Sequence, residues 1–426
     1  MAIALAKEIS PARLAAFKIL QQVEGSGYSS VLLAAEEPRL QAVDRALCHE
    51  LVLGVLRWQL LLDKIVEHFS KRRIESLDPP VRIALRLGLY QLRFLTRIPS
   101  AAAVNESVNL VRMARLSSAS AFVNAVLRRA VREPDYDPAA VVSDPLEKIA
   151  IETSHPVWLI ERWVTSFGLD EARAFAHANN HVPATAFRVV GNQSETLSKL
   201  TAAGAALELS KIVDGGWRVS GATSLLRELS AGGEIYLQDE ASQLVAQLLD
   251  AKPGERVLDL CAAPGSKTTM IADRTGDRAF VVAADRSATR METVVATTKL
   301  HQLEGIKPVI LDATQQLPFW PESFDKVLVD APCSGTGTLR RNPEIRWRLL
   351  PADIPALAEQ QKRILSMAVK MVKPGGRLVY STCSVEREEN EEVIAELGLR
   401  PLETIRTWPH RDGCDGFFIT ASKING

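Results

Sequence analysis

The sequence predicts a multidomain protein: an all-α bundle over residues 1–143, a small α+β module over 144–235, and a doubly wound α/β domain over 236–426. Three observations carry this division. At 426 residues the chain exceeds one ordinary core. Its first part repeats apolar residues at helical spacing, and its last part alternates short apolar runs with helix-length segments. With 46% hydrophobic and 24% charged residues, the composition excludes a disordered or fibrous chain.

In the first part, Ser10 before Pro11 reads as a helix opening, followed by Ala16, Leu20 and Val23 on one face. Leu47, Leu51, Val55, Trp58 and Leu62 continue the pattern from Asp44 to about Phe69. "DPP" at Asp78 to Pro80 opens a helix carrying Val81, Leu85, Leu89 and Leu92, and similar spacing runs from Val104 to Val131. Amphipathic helices with short polar connections predict a compact bundle. The formal net charge of the whole chain is zero, yet Lys71 to Arg132 holds 12 Lys/Arg against 3 Asp/Glu. A local excess of that size predicts a surface facing a polyanion.

"REPDYDPAA", Arg132 to Ala140, is the first expected boundary. Beyond it, "PVWLIERWVTSFG" reads as helix, and "TAFRVV", "GWRVS" and "GEIYLQ" read as short strands. From about Glu234, the runs "RVLDL", "AFVVAAD", "PVILD", "KVLVD" and "RLVYST" have the Val/Ile/Leu-rich texture of parallel strands covered on both faces. There is no internal repeat. The opening "MAIALAKEIS" has no basic region before its short apolar run and is not expected to be a secretory signal. "LVLGVLRWQLLL" is interrupted by Arg57 and is too short to span a bilayer. A cytoplasmic monomer without membrane contact is expected, and Cys48, Cys261, Cys333, Cys383 and Cys414 are expected to stay thiols.

Ligands of doubly wound sheets sit at the carboxyl ends of the strands. The first strand ends in "DLCAAPGSKTT", Asp259 to Thr269, where Gly265 permits close backbone approach and the next helix offers unpaired amides. The second ends in Asp285, placed to accept ribose hydroxyls, and the third in Asp312, within reach of an adenine amino group. The loop lacks both G-x-G-x-x-G and G-x-x-x-x-G-K-[ST], which disfavours dinucleotides and P-loop phosphates. One glycine and an acid at each strand end suit an adenosine ligand without phosphates, such as S-adenosylmethionine.

Two further strand ends carry cysteines, in "DAPCSGTG" (Asp330 to Gly337) and "YSTCSVE" (Tyr380 to Glu386). Neither Cys333 nor Cys383 has a close Cys or His partner of the kind zinc sites use, so no metal is expected. Packing and chemistry remain as readings, since free cysteine is commonly buried. Placement at the cofactor edge of the sheet favours chemistry.

"DLCAAPGSKTT", "VVAADRS", "DAPCSGTGTLRRNPEIRW" and "KPGGRLVYSTCSVEREENEEVI" closely resemble the motifs of the RNA cytosine-5 methyltransferases. "RRNPEIRW" resembles the bacterial 16S rRNA branch called RsmB, or Sun/Fmu, which carries an N-terminal domain similar to the antitermination factor NusB, matching residues 1–143. The resemblance implies a Rossmann-like, S-adenosylmethionine-dependent methyltransferase domain acting on 16S rRNA. It implies that Cys383 forms a covalent bond to carbon 6 of the cytosine, that Cys333 assists release, and that Asp330 and Lys267 border the reacting base. Cofactor contacts are expected from Cys261, Ala262, Ala263, Pro264, Gly265, Ser266, Lys267, Asp285, Arg290, Asp312 and Asp330. Ser266 departs from the family, which usually has a second glycine there.

Arg340, Arg341, Arg346, Trp347 and Arg348 follow Cys333 closely and are expected to hold RNA, the arginines on phosphates and the indole on a base. Gln238, Asp239, Glu240 and Ser242 resemble the family's segment lining the cofactor cleft. Competing readings are an RNA-binding assembly factor with an inert α/β domain, a methyltransferase of another RNA such as tRNA, and a DNA cytosine methyltransferase. The DNA enzymes use the Pro-Cys thiol as nucleophile, whereas "STCS" is a signature of the RNA class.

Overall fold

The computed structural model describes residues 9–424 and divides into two compact units; most of the opening stretch "MAIALAKEIS" lies outside the described residues. The helical unit comprises the chain up to His181 together with Leu339–Arg348. Its bundle contains Pro11–Glu24, Ala42–Arg57, Gln59–Ser70, Pro79–Phe94, Ser100–Met113 and Ser120–Arg132. Pro11 and Pro79 each stand in a first helical turn, where a missing N–H costs nothing. Phe17, Leu51, Leu62, Ile83 and Leu85 are fully buried in a common core. The periodic run from Asp44 to Phe69 is two helices, separated at Trp58, whose ring stacks on Phe94 at 5.0 Å.

Beyond the boundary expected after residue 143, the helical unit continues to His181. Pro145–Thr153, Val157–Phe167 and Leu169–Ala178 are helices of the same unit, and Ile151 is buried in the bundle core. Trp163 packs edge-on against Phe175 and against His155. The proline-rich stretch ends in a short 3-10 helix, Pro138–Val141, and packs into the unit, with Ala139 completely buried.

The second unit holds 182–338 and 349–424. It begins with β1 (Thr185–Val189), β2 (Ala206–Leu209), β3 (Gly216–Ser220) and β4 (Ile235–Leu237), an antiparallel sheet in the order β2-β3-β1-β4. Helices Gln193–Ala202 and Thr223–Ala231 complete a βαββαβ arrangement of the ferredoxin type.

A larger sheet follows, with β5 (Arg256–Asp259), β6 (Phe280–Asp285), β7 (Ile306–Ile310), β8 (Phe324–Asp330), β9 (Val372–Thr382), β10 (Pro401–Thr407) and β11 (Phe417–Lys423). Its order is β10-β11-β9-β8-β5-β6-β7. β5 to β9 pair in parallel, and β10 and β11 form an antiparallel edge hairpin. Strand order reverses between β5 and β8, the switch point at which such sheets open a ligand crevice.

The expected cut at 235/236 does not separate two bodies: the small sheet and the large one form one unit. Arg188 of β1, 5% exposed, donates to Thr269 Oγ1 at 2.9 Å and pairs with Asp273 on the helix Ser266–Arg274. Among the described residues, no helix is long and apolar enough to cross a membrane.

Candidate active site

Gly265 ends the loop after β5 with φ at +105°, a conformation that glycine adopts without penalty, and a Cβ there would meet Val294 Cα at 3.3 Å. This turn starts the helix Ser266–Arg274; of the loop residues expected to contact a cofactor, Ala262, Pro264, Gly265, Ser266 and Lys267 do not line the cavity at the strand ends. Thr268 donates to Asp259 Oδ2 at 2.7 Å, so Asp259, 1% exposed, anchors the loop from below and does not line the cavity. Burial raises the Asp259 carboxyl to about 7, although the Thr268 hydrogen bond opposes the shift.

A cavity of about 200 Å³ opens over the ends of β5, β6, β7 and β8. Cys261, Asp285, Asp312, Asp330, Cys333 and Cys383 stand on its wall, so the structure gathers residues from five separate strand ends into one site. Asp285 accepts from Ser287 N at 2.9 Å and from Ala263 N at 3.3 Å. Arg290 donates to Ala263 O at 2.5 Å and keeps 57% of its side chain exposed. Asp312 accepts from Thr314 Oγ1 at 2.7 Å and Thr314 N at 2.9 Å, contacts that hold its carboxyl below the usual range. A wall of carboxylates with apolar patches from Leu260, Leu311 and Ile364 suits a ligand bearing hydroxyls, an amine and a cation, and repels phosphates.

The two cysteines meet across this wall, with Cys333 Sγ 3.3 Å from Cys383 Sγ. All five cysteines are free thiols, and no metal-ligating cluster occurs among the described residues. The hydrogen bond to Cys383, then burial, push the Cys333 thiol well above its usual value, with Glu389 and Asp330 adding to the shift.

Lys267 Nζ lies 2.7 Å from Asp330 Oδ2, and Ser381 donates to Asp330 Oδ1 at 2.7 Å. Burial alone lowers the Lys267 ammonium, but Asp330 and Cys383 outweigh it and leave the pKa above the ordinary value.

Residues outside the sequence expectation complete the site. Gln360 lines the cavity from the helix Asp353–Val369, and Ser381 fixes Asp330. Glu389, Ser334 and Ser384 form a buried network directly behind the thiols. The repetition of a serine after each cysteine was the available signal; the acid-rich "EREENEE" by itself reads as a solvated face.

The arginine segment requires a correction. Leu339–Arg348 belongs to the helical unit, where Arg346 is 1% exposed. Its guanidinium donates to Arg57 O at 3.0 Å, Ser154 O at 3.1 Å, Asn179 O at 2.8 Å and Asn180 Oδ1 at 2.8 Å. Three of these acceptors are carbonyls at or just past helix C-termini, which lack intrahelical partners and carry the negative end of the helix dipole. Trp347 donates to Leu56 O at 2.7 Å, Arg348 donates to Val23 O at 3.0 Å, and Arg340 O accepts from Arg57. Arg346 is therefore structural, and the positions of Arg340, Trp347 and Arg348 are set by the same packing.

Gln238, Asp239, Glu240 and Ser242 likewise do not line the cavity. Glu240 accepts from Arg218 at 2.6 Å and Ser210 at 2.5 Å, which ties the small sheet to the helix Glu240–Leu249.

A seven-stranded, mostly parallel sheet with an antiparallel edge hairpin, acids at its strand ends and a thiol pair over the switch point define a Rossmann-like methyltransferase domain. The family model described as 16S rRNA methyltransferase RsmB/F matches residues 246–400, the NusB family model matches 10–132, and the RsmF/B-like ferredoxin-like domain model matches 155–225. The probable ribosomal RNA small subunit methyltransferase B of Bacillus subtilis is 33% identical, covering 99% of this chain and 100% of that protein. Its Synechocystis counterpart is 36% identical over 97% of this chain and 99% of its own length. The crystal structure of PH0851 matches with a TM-score of 0.83 at 29% identity, covering 97% of this chain and 98% of the other. The chain belongs to the 16S rRNA methyltransferase RsmB/F family.

Proposed function

We propose that this chain transfers the methyl group of S-adenosylmethionine to carbon 5 of a cytosine in 16S rRNA, through a covalent bond between Cys383 and the base. The substrate class follows from the names of the relatives, ribosomal RNA small subunit methyltransferase B. The observation that carries the chemistry is the thiol pair at 3.3 Å beside the Lys267–Asp330 ion pair, on the wall of a carboxylate-lined cavity.

Carbon 5 of cytosine is a weak nucleophile. Addition of the Cys383 thiolate to carbon 6 forms an S–C bond and moves the ring's double-bond electrons toward carbon 5, which becomes enamine-like. S-adenosylmethionine supplies an electrophilic methyl on a sulfonium. Asp285, Asp312 and the loop at Cys261–Lys267 are assigned to hold its adenosine and amino-acid parts, with Arg290 at the rim.

Asp330, oriented by Lys267 and Ser381, faces the polar edge of the base and stabilises the charge that develops on addition. After methylation the carbon-5 proton leaves and the S–C6 bond breaks; Cys333 assists that release. Cys383 is assigned the attack, and Cys333 the release, because "STCS" is the nucleophile signature that the resemblance to the RNA class implies.

Separate Cys383→Ala and Cys333→Ala variants test the assignment with 16S rRNA as substrate. Cys383→Ala gives no covalent RNA adduct on denaturing gels, and Cys333→Ala accumulates one. An adduct that depends on Cys333 instead reverses the roles, and bisulfite sequencing of the product RNA identifies the modified cytosine.

A further inference from the structure

Behind the thiol pair, Glu389 is completely buried, and among the described residues its carboxyl accepts only from neutral donors. Oε1 accepts from Ser334 N at 2.8 Å and Gln361 Nε2 at 3.0 Å; Oε2 accepts from Ser334 Oγ and Ser384 Oγ, both at 2.5 Å. Ser334 directly follows Cys333, and Ser384 directly follows Cys383. One carboxylate therefore grips the residue after each reactive cysteine, although the two lie 50 positions apart in sequence.

We infer that Glu389 is a positioning residue that clamps the two Cys-Ser turns together and so sets the distance between the two sulfurs. The surrounding contacts serve the same end. Gln361 also donates to Pro332 O at 2.9 Å, Asn390 donates to Ser384 O at 2.9 Å, and Tyr380 donates to Glu389 O at 2.6 Å. Gly337 N donates to Cys383 O at 2.9 Å, and a Cβ on Gly337 would lie 1.9 Å from Gly416 O, so this approach tolerates only glycine.

A buried carboxyl without a counter-ion among the described residues is a costly way to hold two loops: burial raises its pKa, and the hydrogen bonds from Ser334, Ser384 and Gln361 oppose that shift. It has one advantage over a hydrophobic contact. Short charge-assisted hydrogen bonds are directional and fix both turns to within a few tenths of an ångström, which covalent catalysis requires of its nucleophile and release group.

The clamp is relevant to catalysis only if both thiols act, so this inference rests on the proposed function. Its test uses a readout that needs neither RNA nor cofactor. Diamide oxidises a thiol pair to a disulfide, taking two hydrogens and becoming the hydrazine; mass spectrometry follows the loss as a Cys333–Cys383 bridge.

In Glu389→Gln the rate of this bridge falls at least about tenfold, and methyl transfer falls by about 100-fold in kcat with little change in KM for S-adenosylmethionine. Ser334→Ala and Ser384→Ala, the milder variants, each fall less, and combining either with Glu389→Gln adds little because the partners are shared. A merely stabilising role predicts a lowered unfolding midpoint with unchanged bridging and kcat in the folded fraction, and that result overturns the inference. Altered bridging in Glu389→Gln, together with a Cys333→Ala variant that accumulates no RNA adduct, retains the clamp and removes the proposed function.

Discussion

Arg346 in the helical unit and Glu389 in the second unit are 1% and 0% exposed, and both are held by neutral partners without a counter-ion among the described residues. Their neighbours separate them. Arg346 gathers backbone carbonyls from the ends of three helices, a job of stability. Glu389 binds the residues beside two thiols that share the wall of a cavity, a job of geometry. Equal burial and equal lack of pairing thus say nothing about role. What the charge is attached to decides whether its loss unfolds the protein or only slows it.

Variants that break this contrast should rank in a definite order. Cys383→Ala sets the upper limit on the catalytic side: methyl transfer falls by roughly 10⁴-fold while the unfolding midpoint stays near that of wild type. Arg346→Met does the opposite, costing about 3 kcal/mol or more in urea unfolding because several carbonyls lose a charged donor together, and leaving diamide bridging of Cys333 and Cys383 unaffected in the native baseline. Lys267→Met is intermediate, with a loss of roughly 100-fold in methyl transfer and slower iodoacetamide alkylation of Cys383 at neutral pH, since the cation facing that thiol is gone.

Protons sharpen the comparison further. His155 is buried in the helical unit, and burial, then the positive charge of Arg346, hold its pKa well below 6.5. The unfolded imidazole binds a proton below about 6.5 and the folded one does not, so His155 lowers stability as pH falls through that value, by up to about 1.4 kcal/mol per pH unit.

Asp259 has the opposite sign. Its folded carboxyl titrates near 7 against 3.8 in the unfolded chain, so its contribution is lost as pH rises from about 4 to 7. Comparing wild type with His155→Gln and with Asp259→Asn, by urea titration across pH 4.5–7.5, should give difference slopes of opposite sign; equal slopes would contradict the assignment of either group.

The smallest effect concerns RNA affinity. Lys71, Arg72, Arg73, Arg97, Arg112, Arg115, Arg128, Arg129 and Arg132 are exposed on the helical unit, whereas Arg86 in the same stretch is buried against Asp63 and Glu24. If the exposed set meets phosphates, each Arg72→Gln or Arg128→Gln change reduces the salt dependence of 16S rRNA binding by about one unit of log–log slope. A slope unchanged in both variants places the phosphate contacts elsewhere.

Much of this organisation was legible from local pattern. The apolar runs ending in Asp259, Asp285, Asp312 and Asp330 mark five parallel strands together with "RLVYST", because a sheet covered on both faces imposes continuous hydrophobicity. The two cysteines stood out for the same reason, each just past a strand core. The stretch "REPDYDPAA" lies where the NusB match ends, before the ferredoxin-like match, yet the helical unit runs on to His181, because proline and acid report a turn, and a turn occurs equally within a unit and between units. The role of Arg346 was misjudged because four arginines within nine residues look alike in sequence, while only a packed environment shows which guanidinium has lost its water.

Sequence alone determined the class of domain, the strand ends at which ligands gather and the two thiols that face them, since these follow from periodicity and from residue types with few substitutes. Tertiary structure decided the rest: that Asp259 lies beneath the site and not in it, that Lys267 pairs with Asp330, that Arg346 closes three helices, and that Glu389 bonds the serines following two cysteines 50 residues apart. Each of these depends on distance and desolvation between segments remote in the chain, and neither quantity is carried by a residue's identity or by its neighbours in sequence.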